Sequence, residues 1–165
     1  MKKVMMALML SLVSIVVLSQ EIIVKAEEFP NYQGVVNVDG TAQDMYNKAK
    51  TWFAITYKSA NDVIQLDDAA NATIIGKGIT FVGHGITGVR FLYTIKIEGR
   101  ENRFRYTVTV NDIHPSGGTN SLYEEALRMP KFYSKYFEEF KGIVKIYAMA
   151  IARTAINASS AEEDW

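Results

Sequence analysis

The clearest pattern in this chain is a run of alternation. Val89, Phe91, Tyr93, Ile95 and Ile97 alternate with Arg90, Leu92, Thr94, Lys96 and Glu98. A period of two sends these sets to opposite faces of a strand. A second such run, from Arg103 to about Ile113, sets Phe104, Tyr106, Val108 and Val110 against Arg103, Arg105, Thr107, Thr109 and Asn111. Gly99-Arg100-Glu101-Asn102 between them has hairpin-turn chemistry, so the two runs predict an antiparallel pair with one apolar and one wet face. If Glu98 pairs with Arg103, the same register sets Lys96 opposite Arg105 and Thr94 opposite Thr107.

Elsewhere the period changes. Gln33 to Val38 reads as a short strand ending in Asp39-Gly40. Thr41 then caps a helix whose first turn holds Asp44 and whose apolar face is Met45, Ala49, Trp52, Phe53 and Thr56. From Asp62 to Val82 short apolar runs punctuated by Asp67-Asp68 and glycines predict two strands. The parity of the second is ambiguous across Ile74-Ile75-Gly76-Lys77-Gly78. After the loop Pro115-Ser116-Gly117-Gly118, Ser121 to Glu124 has capping-box spacing, and Pro130 interrupts or restarts the helix. Tyr133, Phe137, Phe140, Val144, Tyr147, Ile151 and Thr154 then recur at steps of four and three, the stripe of a long amphipathic helix. Residues 158–165 are small and acidic and are expected to be mobile. The order is strand, helix, four strands, helix: an α+β fold with helices on one face of an antiparallel sheet, in a single domain over residues 33–157.

The N-terminus carries a different signal. Met1-Lys2-Lys3 precedes an uncharged run of 15 residues, Val4 to Leu18, and then Ser19-Gln20. These are the three regions of a secretory signal peptide, residues 1–19, with cleavage after Ser19 or after Ala26. Fifteen residues fall short of the ~20 that a membrane-spanning helix needs, so no transmembrane anchor is expected after cleavage. The expected location is periplasmic or extracellular. The chain has no cysteine, which excludes a lipoprotein anchor, disulfides and thiol chemistry. Losing Lys2 and Lys3 leaves 16 basic against 18 acidic residues, a balance with no general pull toward nucleic acid or anionic membrane.

A resemblance sharpens the fold. Val38-Asp39-Gly40-Thr41, Tyr46 and Trp52, Ile75-Gly76-Lys77-Gly78, Tyr93-Thr94-Ile95-Lys96-Ile97 and Arg103-Phe104-Arg105-Tyr106 span roughly residues 35–113. With the element order, they resemble a family of exported bacterial domains of unknown function with a TATA-binding-protein-like (TBP-like) fold. The resemblance implies that fold, with a helix-grip arrangement as the alternative. It implies no activity and no functional residues.

Catalytic signals are weak. Gly83-His84-Gly85-Ile86-Thr87-Gly88 matches the G-x-G-x-x-G dinucleotide fingerprint, but it precedes a strand, so no helix dipole would face a pyrophosphate. A hairpin loop is the better reading. His84 and His114 are the only histidines, both in expected loops, with no nucleophile elbow and no zinc motif, and Asp67-Asp68 reads as turn chemistry. No cofactor, metal site or catalytic residue is therefore expected. The aromatic run Phe132, Tyr133, Tyr136, Phe137 and Phe140 suits a core, although a cavity lined by Phe137, Phe140, Tyr147, Phe91 and Tyr93 would suit an apolar ligand.

The uncovered sheet face holds the candidate site. Arg90, Lys96, Arg103 and Arg105, interleaved with Thr94, Thr107 and Thr109, would form a seat for an anionic ligand or an acidic envelope protein. The expectation is an exported, non-enzymatic binding or interaction module that uses this face or an edge strand, with room for homo-oligomers. An apolar-ligand carrier and an envelope hydrolase are the alternatives. Nucleic acid is not an expected partner, because export and net acidity oppose it and fold alone does not license function.

Overall fold

The computed structural model describes residues 22–162, with side chains over residues 28–154 apart from Ile86. The expected signal peptide lies in the segment outside the described residues. Thr41 closes a capping box: its hydroxyl accepts from the Asp44 amide at 3.1 Å, and the Asp44 carboxylate accepts from the Thr41 amide at 2.8 Å. Two orphan amides are thereby satisfied, and helix α1, Ala42–Thr56, follows with Met45, Tyr46, Ala49, Trp52 and Phe53 buried. A four-residue helix α2, Ala60–Val63, leads into the sheet. Near the C-terminus α3, Tyr123–Arg128, precedes the 33-residue α4, Pro130–Glu162, which buries Tyr133, Phe140, Val144, Ala148 and Ile151. Residues 158–162, expected to be mobile, continue α4 as helix.

Six antiparallel strands form one sheet: β1 Ile22–Glu28, β2 Asn31–Asn37, β3 Ile64–Asp68, β4 Thr73–Val82, β5 Val89–Arg100 and β6 Arg103–Pro115. Their spatial order is β1-β2-β6-β5-β4-β3. Strand β1 precedes the expected domain boundary at residue 33, in a stretch where the sequence pattern assigns no strand. It pairs antiparallel with β2 from Ile22↔Val36 to Glu28↔Asn31. The Gly83–Gly88 segment is a loop joining β4 to β5 through a short 3-10 turn, Gly85–Thr87, as its context predicts.

The central hairpin has a different register from the expected one. Glu98 lies opposite Arg105, Lys96 opposite Thr107, Thr94 opposite Thr109, and Arg100 opposite Arg103. The turn is the two residues Glu101-Asn102, with Asn102 at φ 58, a left-handed conformation that asparagine tolerates better than most residues. Gly99 is not in the turn. It is buried in β5 beneath α1, where a Cβ would come within 2.5 Å of the Ala42 carbonyl oxygen and 2.9 Å of Met45 Cβ. Its glycine is required by close helix–sheet approach, not by turn geometry. Farther along, the register shifts between Leu92↔Asp112 and Tyr93↔Val110, leaving Asn111 as the extra residue of a bulge. The parity of β4 is resolved: Ile74 and Gly76 are buried, while Ile75 and Lys77 point to the other face.

Helices α1 and α4 cover the face formed by Phe91, Tyr93, Ile95, Ile97, Phe104, Tyr106 and Val108. The rings expected to line a cavity fill the space instead. Phe91 stacks on Phe140 at 4.5 Å and 10°, Tyr93 meets Phe140 edge-on at 5.6 Å, and Tyr93 and Tyr147 are 6.2 Å apart. Phe29 stacks on Phe137 at 4.3 Å. Phe91, Tyr93 and Phe140, each almost wholly buried, contribute on the order of 1.5–3 kcal/mol apiece. Phe132 is the exception among the predicted aromatic stripe: it is 72% exposed. Gly76 and Gly78 leave room for the Phe53 ring and the Tyr93 hydroxyl, which a Cβ would approach to 2.4 and 2.5 Å. The Tyr93 hydroxyl, 2.8 Å from that of Tyr57, is held strongly toward its protonated form by burial.

Candidate functional site

The alternation that buries one side of β2, β4, β5 and β6 sends the other residues away from both long helices. Adjacent strands align them into rows across this open face: Gln33, Thr107, Lys96 and Ile75 form one, and Asn31, Thr109, Thr94 and Lys77 the next.

The seven predicted site residues all lie on this face, yet the cations do not converge. Glu98 receives Arg105 Nη2 at 2.8 Å and Lys96 Nζ at 3.0 Å, so the two groups expected to repel each other share one carboxylate. The hydrogen bond from Arg105, followed by the one from Lys96, outweighs partial burial and holds the Glu98 carboxyl below its ordinary pKa. Arg90 lies several rows away and donates to the Gly118 carbonyl, fastening the loop after β6. Arg103 sits at the hairpin end opposite Arg100. The threonines are engaged as well. Gln33 Nε2 donates to Thr107 at 3.0 Å, Thr109 donates to Asn31 at 3.0 Å, and Asn111 Nδ2 donates to Thr94 at 2.7 Å. The middle of the face is a cross-strand polar ladder with one embedded ion cluster, and the expected basic seat is not assembled.

At the far end the structure brings together residues that the sequence does not connect. His114 Nε2 lies 3.0 Å from Asp112 Oδ2, and the Ser121 hydroxyl donates to Asp112 Oδ1. Ser121 Oγ also accepts from the Tyr123 amide at 3.2 Å, but the predicted capping box does not close, and α3 starts from Leu122, whose own side chain gives no cap. Partial burial pushes the Asp112 pKa up, but hydrogen bonds from Ser121 and the Ile113 amide, with the interaction with His114, together bring it below the ordinary value. His114 is mostly buried rather than a solvated loop residue, with 17% of its side chain exposed. The carboxylate sits between serine and histidine, so the histidine cannot take the serine proton, as nucleophilic catalysis requires. Across the sheet, Tyr46 and Lys50 of α1 both hydrogen-bond Asp67 of β3, the lysine at 2.7 Å. These bonds hold the Asp67 carboxyl below its ordinary pKa, that from Lys50 most. Asp68 serves its turn, accepting from the Asn71 amide at 3.1 Å. Among the described residues, no group of three or more His, Asp or Glu side chains could hold a metal.

Sequence reasoning missed the apolar part of the open face. Ile79 and Phe81 on β4 are 59% and 63% exposed, and Leu66 on β3 is 43% exposed. Ile79 lies opposite Leu92, and Phe81 opposite Arg90. The signal was present in Ile75, Lys77, Ile79 and Phe81 as a period-two set, but the glycines obscured which face it took.

The sequence of most of this sheet and of α1 matches a known family profile. A domain of unknown function with TBP-like fold, DUF4468, matches residues 32–114, half of the chain. The chain belongs to the DUF4468 family. A crystal structure of a DUF4468 family protein from Bacteroides ovatus superposes with a TM-score of 0.60 at 13% identity, covering 76% of this chain and 85% of that one. A TBP-like protein from Parabacteroides distasonis superposes with a TM-score of 0.53 at 14% identity, covering 73% and 91%. At such identities the likeness is one of fold. No curated protein matches the sequence. This DUF4468 chain is therefore an α+β domain with the TBP-like fold. Among its described residues, no helix is long and apolar enough to cross a membrane.

Proposed function

We propose that this DUF4468 chain is an exported, non-enzymatic interaction module whose open sheet face receives a protein partner. The carrying observation is the one-sided packing: α1 and α4 bury one face of the sheet, and no described helix packs on the other. That face is broad and rich in hydrogen-bonding side chains, with exposed apolar side chains at Ile79 and Phe81 and, farther along beside Ile75, at Leu66. A mixed polar and apolar surface of this kind suits another protein better than a small anion. Glu98, shared by Lys96 and Arg105, cancels one of their two positive charges and occupies both cations, which weighs in the same direction. Export rests on the lysine-led, 15-residue uncharged run at the N-terminus. Of the two cleavage points, Ser19 is the better supported, because cleavage after Ala26 would remove most of β1, which pairs with β2.

Capture from native envelope extracts tests the reading. The wild-type protein is expected to retain a defined partner that Thr107→Arg, at the centre of the face, releases. Equal retention of every captured protein by the variant overturns the use of this face. N-terminal sequencing of the secreted or periplasmic form is expected to begin at Gln20, and recovery of an intact Met1 from the cytoplasm overturns export.

A further inference from the structure

We infer that strand β4 pairs with β4 of a second copy of this chain. The inference concerns the edge of the sheet and goes beyond the use of its face. Strand β4 runs from Thr73 to Val82, but its outer neighbour β3 pairs only with Thr73 to Gly76. From Lys77 to Val82 it has β5 on one side and, among the described residues, no strand on the other. An unpaired edge is a template for another strand, and proteins that remain monomeric usually blunt such edges with charge, proline, bulges or a covering helix or loop; α2 and α4 touch β4, yet among the described residues no strand pairs with it on this side beyond Gly76. Here the unpaired stretch reads Lys77-Gly78-Ile79-Thr80-Phe81-Val82, one lysine at its start followed by five uncharged residues. Its two outward apolar side chains are well over half exposed.

The stretch is complementary to itself. A two-fold axis perpendicular to the sheet at Thr80 sets two β4 strands antiparallel, with Thr80 opposite itself. Ile79 then faces the partner's Phe81 on the open side, twice by symmetry, and Lys77 faces the partner's Gly83. An aromatic residue against a β-branched one and threonine against threonine are favourable cross-strand pairs, and this register sets no like charges opposite each other. The same two-fold makes the two open faces continuous across a twelve-stranded sheet. An edge-to-edge contact of this length is small, so the dimer is expected to be weak, with dissociation in the micromolar range, ~1–100 µM.

Sedimentation of the purified protein as a function of concentration reads this directly. The expected result is a monomer–dimer equilibrium that Phe81→Lys weakens at least about tenfold. In the double variant Ile79→Lys, Phe81→Glu each new ammonium faces a new carboxylate across the two-fold, and the dimer is expected to return. Both positions are more exposed than buried, so these variants retain the core. As a further measurement in this cysteine-free chain, Thr80→Cys is expected to give a covalent dimer with a short bis-maleimide, whereas Asn47→Cys on α1 is not. A monomer at every concentration, a dimer indifferent to Phe81→Lys, or no recovery in the double variant overturns the pairing. None of those outcomes bears on capture of an envelope partner by Thr107, so the two readings fail separately.

Discussion

Gly99→Ala is the sharpest probe of how α1 is seated. The added Cβ would lie 2.5 Å from the Ala42 carbonyl oxygen and 2.9 Å from Met45 Cβ. Neither is the free end of a flexible side chain, so the first turn of α1 must withdraw from β5 by roughly 1 Å to reach ordinary contact. A gap of that size forfeits about a quarter to a half of the dispersion energy along the contact, and Met45, 1% exposed, makes dozens of such contacts. The loss is on the order of 2–3 kcal/mol, in line with overpacking elsewhere. Replacing glycine in a strand returns about 0.5–1 kcal/mol of chain entropy, leaving a net loss of about 2 kcal/mol. For a domain of this size that lowers the thermal midpoint by about 4–8 °C. Urea and thermal unfolding followed by circular dichroism measure it. Gly142→Ala, in α4 with nothing within 4 Å of the new methyl, provides the opposite sign, a gain of up to about 1 kcal/mol. A Gly99→Ala protein as stable as wild type would refute the argument that close approach, and not turn geometry, places glycine here.

Three further outcomes follow from the charged contacts. Glu98, Asp67 and Asp112 have folded-state pKa values below their ordinary ones, so their contribution is complete above the unfolded carboxylate range and is lost as pH falls through the folded values. Urea midpoints are expected to be flat from about pH 7 to 5 and to drop below about pH 4; a midpoint that rises on acidification contradicts this. Glu98→Gln should cost no more than about 1 kcal/mol at pH 7 and flatten the acid limb in the same titration, since its partners are well exposed. Tyr46→Phe should destabilise by about 1 kcal/mol by leaving Asp67 one donor short, and a double cycle with Asp67→Asn should show the two losses to be non-additive.

The elements of this fold are largely visible in the sequence because each expresses one period. The α4 stripe and the β5 and β6 alternations each bury one set of side chains, and Thr41, immediately before α1, announces the helix together with Asp44 in its first turn. Register was less legible. Gly99 reads equally as turn and as close approach, and only the position of α1 above it decides between them. A two-residue slip then followed, which turned an Arg105–Glu98 pair into an expected Lys96–Arg105 clash. Glu98 lies two positions from Lys96 on the same strand face, so the carboxylate partner was in view, but its share in Arg105 depended on register. The Asp112, His114 and Ser121 cluster is set by how the loop after β6 returns, which no local pattern encodes. The exposed edge of β4 needed the length of β3 to be known, and the early strand β1 is hidden beside the N-terminal apolar run.

In-cell photo-crosslinking tests the central claim, that the open sheet face is an interface, most directly. A photoreactive side chain at Thr107, and another at Asn111 beside it, would report on that face, while one at Lys48 of α1 reports on the helical side. The account predicts a discrete crosslinked protein from the two sheet positions and none from Lys48. Absence of crosslinks from the sheet face, or the same products from Lys48, would contradict it.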